Sequence, residues 1–174
     1  MIAPRYAFLS KKQKRDEIMK ISTKGRYALR LMLDLAMNST GSPVSLKDVA
    51  KRQGSSDKYL EQMTSVLNRA GYVKSVRGAQ GGYMLRKEPE DYTVGMILRF
   101  TEGSLAPVAC IEEDEVSCDR QENCVTLILW KKINDAVSSV VDHTTLQDLV
   151  DWQREKNGDY VTSPVRDENP PVLF

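Results

Sequence analysis

All three cysteines of the chain lie in one short stretch, ACIEEDEVSCDRQENCVTLILW, at Cys110, Cys118 and Cys124. Seven residues separate the first two cysteines and five separate the last two. Thiolates are the usual ligands of iron–sulfur clusters and also bind zinc, and a surface loop can gather three of them without distorting a core. Structural disulfides are rare in the cytoplasm, where we expect this chain to act. The grouping therefore indicates a metal or redox site.

The residues alone leave the nature of that site open. Acidic side chains surround the cysteines and add candidate oxygen ligands: Glu112, Glu113, Asp114, Glu115, Asp119 and Glu122. Three thiolates with one carboxylate would satisfy tetrahedral zinc. The same loop without metal would be a thiol sensor or inert.

Charge divides the chain into two halves. Residues 1–87 hold 18 Lys or Arg against 6 Asp or Glu, whereas residues 88–174 hold 7 against 18. Such asymmetry favours an amino-terminal half that faces a polyanion, with two oppositely charged solvated faces as the alternative. No apolar run approaches the roughly 18 residues that a membrane span requires. The amino terminus has no apolar core of a secretory signal, and we therefore predict a cytoplasmic protein.

Helical patterns in the basic half predict a helix-turn-helix. Residues 22–38 form a helix that is apolar nearly all round and should be mostly buried. A short helix capped by Ser45 follows and ends at Gly54. The next helix, 55–71, has a buried stripe at helical spacing and a polar opposite face; the stripe is Tyr59, Leu60, Met63, Val66, Leu67 and Ala70.

The apolar period then changes from helical to alternating. YVKSVRG and YMLRK read as two strands around the glycine-rich tip GAQGG, with Arg77 and Gln80 as its larger side chains. We therefore predict a mainly α fold with a small β-hairpin wing. The polar helix face suits base edges in the major groove, and the wing suits DNA backbone or the minor groove.

The acidic half predicts helices that suit assembly. Thr93 should cap a short helix, a long helix should begin near Cys124, and Thr145 should cap a last helix. The long helix carries an apolar seam that we expect to meet a partner helix in a homodimer, made of Leu127, Trp130, Ile133, Val137 and Val140. An alternative is that it packs only on its own domain.

Five segments follow from these patterns. We expect a basic extension over 1–18, with Met19 as an alternative start of the chain, and a winged helix-turn-helix over 19–102. A cysteine-containing sensor loop should follow over 103–123. A dimerisation helix and C-terminal helix over 124–156 and a disordered tail over 157–174 complete the chain.

Three stretches resemble the Rrf2 family of bacterial transcription regulators: MKISTKGRYALRLMLDLA, YLEQMTSVLNRAGYVKSVRGAQGGYML and TTLQDLVDW. The resemblance covers roughly residues 19–152 and implies a dimeric winged-helix repressor or activator acting on palindromic double-stranded DNA. Carried over by position, the implied DNA-binding residues are Ser56, Lys58, Tyr59 and Glu61 on the recognition helix and Arg77 and Gly78 on the wing.

The resemblance also implies a cofactor, because IscR-like and NsrR-like members hold an iron–sulfur cluster on three loop cysteines. Here these would be Cys110, Cys118 and Cys124, holding a 2Fe–2S or 4Fe–4S cluster. Two departures leave the fourth ligand open. Leu127 stands where IscR-like members have a histidine, and Arg26 stands where NsrR-like members take an acid from the partner subunit. His143, the single histidine, lies about 24 Å further along a helix, too far to ligate in its own subunit.

Two regulatory hypotheses follow. The leading hypothesis is a DNA-binding regulator that senses iron–sulfur or redox status through the loop. The alternative is a cluster-free, CymR-like regulator of cysteine and sulfur metabolism that acts with a partner enzyme, since TEGSLAPV resembles that group. An enzyme is not expected, because the chain has no CxxC pair and no phosphate-binding glycine loop before a helix.

Overall fold

The computed structural model describes residues 20–39, 41–112 and 121–158. This part of the chain is mainly α with one two-stranded antiparallel sheet, which confirms the predicted fold class. The elements are α1 (Thr23–Asn38), α2 (Leu46–Gln53), α3 (Asp57–Arg69), β1 (Val73–Val76), β2 (Gly82–Leu85), α4 (Val94–Glu102), α5 (Val125–His143) and α6 (Leu146–Asn157). Short 3-10 turns lie at Pro89–Asp91, Ala109–Ile111 and Gln121–Asn123.

Side-chain caps fix where the helices of the helix-turn-helix begin. The Ser45 hydroxyl accepts from the Asp48 backbone amide at 3.2 Å, and the Ser56 hydroxyl accepts from that of Tyr59 at 3.3 Å. Gly54 ends α2 in the left-handed region, with φ 60°, which a glycine adopts without steric cost. The turn between α2 and α3 is therefore short and locally determined, as the sequence predicted.

α1 differs from its prediction. It buries a stripe rather than most of its circumference, and that stripe is Gly25, Ala28, Leu31, Met32 and Leu35. Packing explains this difference: α3, α4 and α6 contact α1, while the intervening positions Arg26 and Arg30 stay exposed. Leu29 and Leu33 are half-buried beside the core.

The wing is a hairpin in the predicted place. Val73 pairs with Leu85 and Val76 with Gly82. Val44, ahead of α2, adds an antiparallel bridge to Tyr83, with both backbone hydrogen bonds at 2.9 Å. This bridge ties the wing to the start of the helix-turn-helix.

The core lies between α1, α3, the wing base and α6. Leu60, Met63 and Leu67 of α3 are buried as predicted, but Thr64 is buried too, while Tyr59, Val66 and Ala70 are only half-buried. The Thr64 hydroxyl is satisfied because it donates to the Leu60 carbonyl oxygen at 2.9 Å. A polar residue can therefore occupy a core position that an apolar pattern misses.

α5 is held to α4 near its carboxyl end. Arg99 forms a bidentate ion pair with Asp142 and also lies 3.4 Å from the Ser138 hydroxyl. Gly95 permits this approach, because a Cβ there would collide with the Asp142 carboxylate. None of the residues of α5 is buried in the single chain. No helix in the described ranges is long and apolar enough to cross a membrane.

Candidate nucleic-acid interface and cysteine loop

The outer face of α3 carries the predicted polar groups. Lys58 and Glu61 are exposed, and Ser56 is the exposed N-cap that precedes the helix. The face forms a shallow depression lined by Lys58, Glu61, Gln62, Ser65, Val66 and Arg69. It offers ammonium, guanidinium, amide and carboxylate groups, which are the types that hydrogen-bond base edges.

Tyr59 has a mixed environment. Its ring is half-buried and packs against the core cluster. It also meets Tyr27 of α1 edge to face, with ring centroids 5.0 Å apart and planes at 79°. The sequence analysis gave Tyr27 no role in the site, because it expected α1 to be mostly buried. The contact depends on the packing of α1 against α3, which no local sequence pattern indicates.

The wing tip is exposed from Lys74 to Gln80, so Arg77 and Gly78 are both accessible. Gly78 has φ 127°, a conformation that side-chain-bearing residues rarely adopt. Lys74, Arg86 and Lys87 are exposed on the same hairpin and its exit. The wing is therefore a cationic projection, as an element that approaches phosphates should be.

The structure places two of the three predicted cysteine ligands. Cys110 is half-buried in the 3-10 turn Ala109–Ile111, and Cys124 is the N-cap of α5, with its Sγ 3.3 Å from the Thr126 hydroxyl. Cys118, Glu113, Asp114, Glu115 and Asp119 lie outside the described residues. Within the described ranges no three of the His, Cys, Asp and Glu side chains form a group that could hold a metal ion.

Donor chemistry at the loop nevertheless suits an iron–sulfur cluster. The sequence supplies three cysteines here, and Glu112 and Glu122 are exposed on either side of residues 113–120, which lie outside the described ranges. His143 ends α5, and its Nδ1 lies 2.8 Å from the Ser139 carbonyl oxygen. Since Cys124 precedes the same 19-residue helix, His143 and Cys124 are separated by its whole length. Arg26 is exposed, and its Nη2 donates to the Thr23 hydroxyl at 3.1 Å.

The exposed apolar side chains of α5 differ from the predicted seam. Val140 is exposed, but Leu127, Trp130, Ile133 and Val137 are half-buried. The most exposed apolar side chains of α5 are Val125 at 79%, Val140 at 64%, Ile128 at 61% and Leu129 at 50%. This set recurs at helical spacing and forms one unpartnered face of the single chain.

A helix-turn-helix with an exposed polar second helix and a basic hairpin defines a winged-helix DNA-binding protein. Residues 21–152 match the Rrf2 profile, described as "Iron-dependent Transcriptional regulator". The chain belongs to the Rrf2 family of transcription regulators, as the sequence resemblance predicted.

Similar proteins are regulators of more than one kind. The HTH-type transcriptional regulator CymR of Bacillus subtilis is 47% identical over 134 residues, covering 77% of this chain and 91% of that protein. An HTH-type transcriptional regulator IscR of Escherichia coli O1:K1 is 38% identical over 135 residues, covering 78% and 82%. These relatives are transcription regulators, which agrees with the expectation that the chain is not an enzyme.

The solved structures that resemble this chain also include both CymR and IscR regulators. The global cysteine regulator CymR of B. subtilis superposes with a TM-score of 0.65 at 45% identity, covering 76% of this chain and 97% of that one. IscR of T. potens superposes with a TM-score of 0.64 at 42% identity, covering 83% and 93%. Both likenesses confirm the winged-helix fold, and they do not separate the two modes of sensing.

Proposed function

We propose that this chain is a cytoplasmic, homodimeric transcription regulator that reads a palindromic operator in double-stranded DNA. The observation that carries this proposal is the exposed, hydrogen-bonding face of α3 beside a cationic wing. The residues proposed to contact DNA are Ser56, Lys58, Tyr59 and Glu61 at the amino end of α3, and Arg77 and Gly78 at the wing tip. Helix residues would read bases, while the wing would contact the backbone or the minor groove.

The sensing element in this proposal is the loop over residues 103–123, together with Cys124, which directly follows it. Cys110, Cys118 and Cys124 would hold an iron–sulfur cluster, of 2Fe–2S or 4Fe–4S type, with a fourth ligand other than His143 of the same chain. A bound cluster would supply redox and nitric-oxide sensitivity. Its three thiol ligands would bring the end of α4 and the start of α5 under one restraint, since Cys110 and Cys124 lie on opposite sides of the loop.

Contacts within the chain offer a route from that loop to α1. Glu102, the last residue of α4, accepts a hydrogen bond from the Ser22 hydroxyl at 2.8 Å, and Ser22 is the N-cap of α1. Lys24 donates to the Thr101 carbonyl oxygen at 2.8 Å. A change in the loop therefore acts next to contacts that hold the amino end of α1. Coupling of this kind needs a shift of only about 1–3 kcal/mol between two states.

An alternative is supported by the 47% identity to CymR of B. subtilis. In this alternative the loop holds no cluster, and the chain regulates cysteine and sulfur metabolism with a partner enzyme. The two hypotheses share the DNA-binding surface and differ in what changes its affinity.

The deciding experiment combines metal analysis with DNA binding on the full chain purified without oxygen. We expect visible charge-transfer absorption, matching iron and sulfide contents, and a DNA affinity that changes when the cluster is removed. The triple variant Cys110→Ser, Cys118→Ser and Cys124→Ser should lose the absorption and bind DNA equally with or without iron and sulfide. A colourless native chain after attempted reconstitution, with DNA binding that requires an added partner protein, would favour the alternative.

A further inference from the structure

Three residues on one face of α1 contact the helix-turn-helix, two through their side chains and one through its backbone carbonyl oxygen. They are Tyr27, Arg30 and Asp34, whose spacing of three and four residues places them in one row along the helix. Tyr27 meets Tyr59, and the Arg30 carbonyl oxygen accepts from the Gln53 amide at 3.1 Å. Asp34 accepts two hydrogen bonds from Arg52, at 2.6 and 3.0 Å. We call Tyr27, Arg30 and Asp34 the α1 row.

The α1 row contacts both sides of the turn that sets the angle between the two helices. Arg52 and Gln53 are the last two residues of α2, and Tyr59 lies in the first turn of α3. The Asp34 carboxylate side chain is only 9% exposed, so solvent has little access to one end of this attachment. α1 therefore fixes the end of α2 and the start of α3 together.

Tyr27 restrains Tyr59 in a way that backbone caps cannot. The Ser56 cap fixes the Tyr59 backbone amide but not the side-chain torsions of the ring, of which one part packs against the core cluster. The edge-to-face contact at 5.0 Å limits rotation about these torsions, because aromatic pairs prefer such geometry. The Arg30 guanidinium lies 5.8 Å from the Tyr27 ring centroid and adds a favourable cation–π contact that holds Tyr27 itself.

We propose that Tyr27 is a positioning residue for DNA recognition, which holds the Tyr59 ring at the amino end of α3 and so sets the base preference of that turn. The inference rests on the proposed reading of DNA by α3. Tyr27 itself need not touch a base. Its loss should relax the sequence preference that depends on Tyr59 and leave the phosphate contacts of the wing unchanged.

The test uses a library of random-sequence DNA duplexes, from which the full-length native chain first selects its preferred sequence. Selections are repeated with Tyr27→Leu, Tyr59→Leu and the double variant. We expect Tyr27→Leu and Tyr59→Leu to lose preference at the same base positions. Affinity for the natively selected duplex should fall about tenfold in each, as for loss of one base-reading contact, and no further in the double variant. The salt dependence of binding should not change, because no phosphate contact is removed.

Two controls separate positioning from general packing. Tyr27→Phe keeps the ring and should select the native sequence. Phe100→Leu removes a similar edge contact, to Tyr72 at 5.5 Å, and should not relax the positions that Tyr59→Leu relaxes. If Tyr27→Leu does not fold, as judged by thermal unfolding, Tyr27→Met is read by the same criteria.

Additive losses in the double variant would overturn the proposal, as would an unchanged selection by Tyr27→Leu. A Tyr27→Leu variant whose affinity falls equally for all DNA sequences would also overturn the proposal, since that result indicates a phosphate contact or a stability defect. A native chain that selects no sequence at all would instead refute the proposed DNA-reading function, which is a distinguishable failure.

Discussion

Arg77 is the largest cationic side chain at the wing tip, and its exposure allows a contact with phosphate or with the minor groove. We predict that Arg77→Ala weakens binding to all duplexes to a similar degree. The slope of log affinity against log salt should fall by about one, because one fewer counterion is released. Fluorescence anisotropy over a salt series measures both quantities.

Gln80→Ala is the matched control for Arg77. Gln80 is exposed on the same tip but carries no charge, so its removal should leave the salt slope unchanged. A loss confined to one DNA sequence in Arg77→Ala would contradict a backbone contact and indicate base reading instead.

Asp142 makes the attachment of α5 sensitive to acid. Its hydrogen bonds with Arg99, opposed in part by burial, hold the pKa of this carboxyl below its ordinary value. A depressed folded-state pKa stabilises the fold above the ordinary pKa, and this contribution is lost as pH falls through the lower value. This stabilising contribution is therefore lost below about pH 4. Both side chains are more than a third exposed, so the contribution is at the low end of about 0.2–1 kcal/mol.

Asp142→Asn tests this pH dependence. We expect the variant to have a lower free energy of unfolding than the native chain at neutral pH and a smaller difference in acid. Urea unfolding at several pH values between about 3 and 7 measures this difference in the free energy of unfolding. Asp135→Asn, at an exposed site on the same helix, should leave the curve unchanged. Equal loss at every pH would show that packing rather than charge holds this contact.

At the scale of the elements, Gly82 determines how closely the wing approaches the chain before α2. A Cβ at this position would collide with the Val44 carbonyl oxygen and lie 2.6 Å from its carbon. Because these are backbone atoms, they can move only by breaking the Val44–Tyr83 bridge. We predict that Gly82→Ala destabilises the fold by about 1–3 kcal/mol, as overpacking does. Thermal and urea unfolding measure this loss.

Gly25→Ala provides a comparison with a different neighbour. A Cβ at Gly25 would meet the carboxylate end of Glu102, a flexible side chain that can turn away with the loss of its hydrogen bond from the Ser22 hydroxyl. Alanine also favours a helix by about 0.5–1 kcal/mol over glycine. Gly25→Ala should therefore cost less than Gly82→Ala, and the reverse order would mean that the bridge contributes little.

Local signals explain which elements were predictable. Ser45, Ser56, Thr93 and Thr145 each cap the helix that follows, and these caps depend only on neighbouring residues. The wing was equally local, with its glycine-rich tip between two short strands. Which faces are covered is a property of the tertiary structure. For that reason the sequence did not predict the exposed positions of α1, the burial of Thr64 or the contact of Tyr27 with Tyr59.

At the scale of the whole molecule, the exposed apolar residues of α5 call for a partner surface. We predict that Ile128→Asp weakens or abolishes the homodimer, because a charge would be buried in an apolar contact. Analytical ultracentrifugation measures the assembly, and DNA binding measured in parallel should weaken with it. Trp152→Asp replaces a comparably exposed residue on α6 and should remain dimeric. A dimeric Ile128→Asp would place the interface elsewhere.

The cysteine loop shows where prediction from the sequence ends. Its three thiols indicate a metal or redox site, and the fold places Cys110 in the turn Ala109–Ile111 and Cys124 at the start of α5. A cluster-binding regulator and a cluster-free regulator share the helices and the wing, so neither fold nor DNA-binding surface distinguishes them. These two kinds of regulator differ in whether the three cysteine side chains bind an iron–sulfur cluster.

The ion pair between Arg99 and Asp142 lies near the carboxyl end of the long helix α5. A small rotation about this point would therefore move the other end of the helix by a larger distance. α5 has 19 residues and is therefore about 28 Å long, with Cys124 at the far end. If the pair acts as a fulcrum, a tilt of about 5° there moves the Cys124 end by roughly 2 Å. On the same assumption, a displacement of about 2 Å at Cys124 would rotate α5 by about 5° against α4.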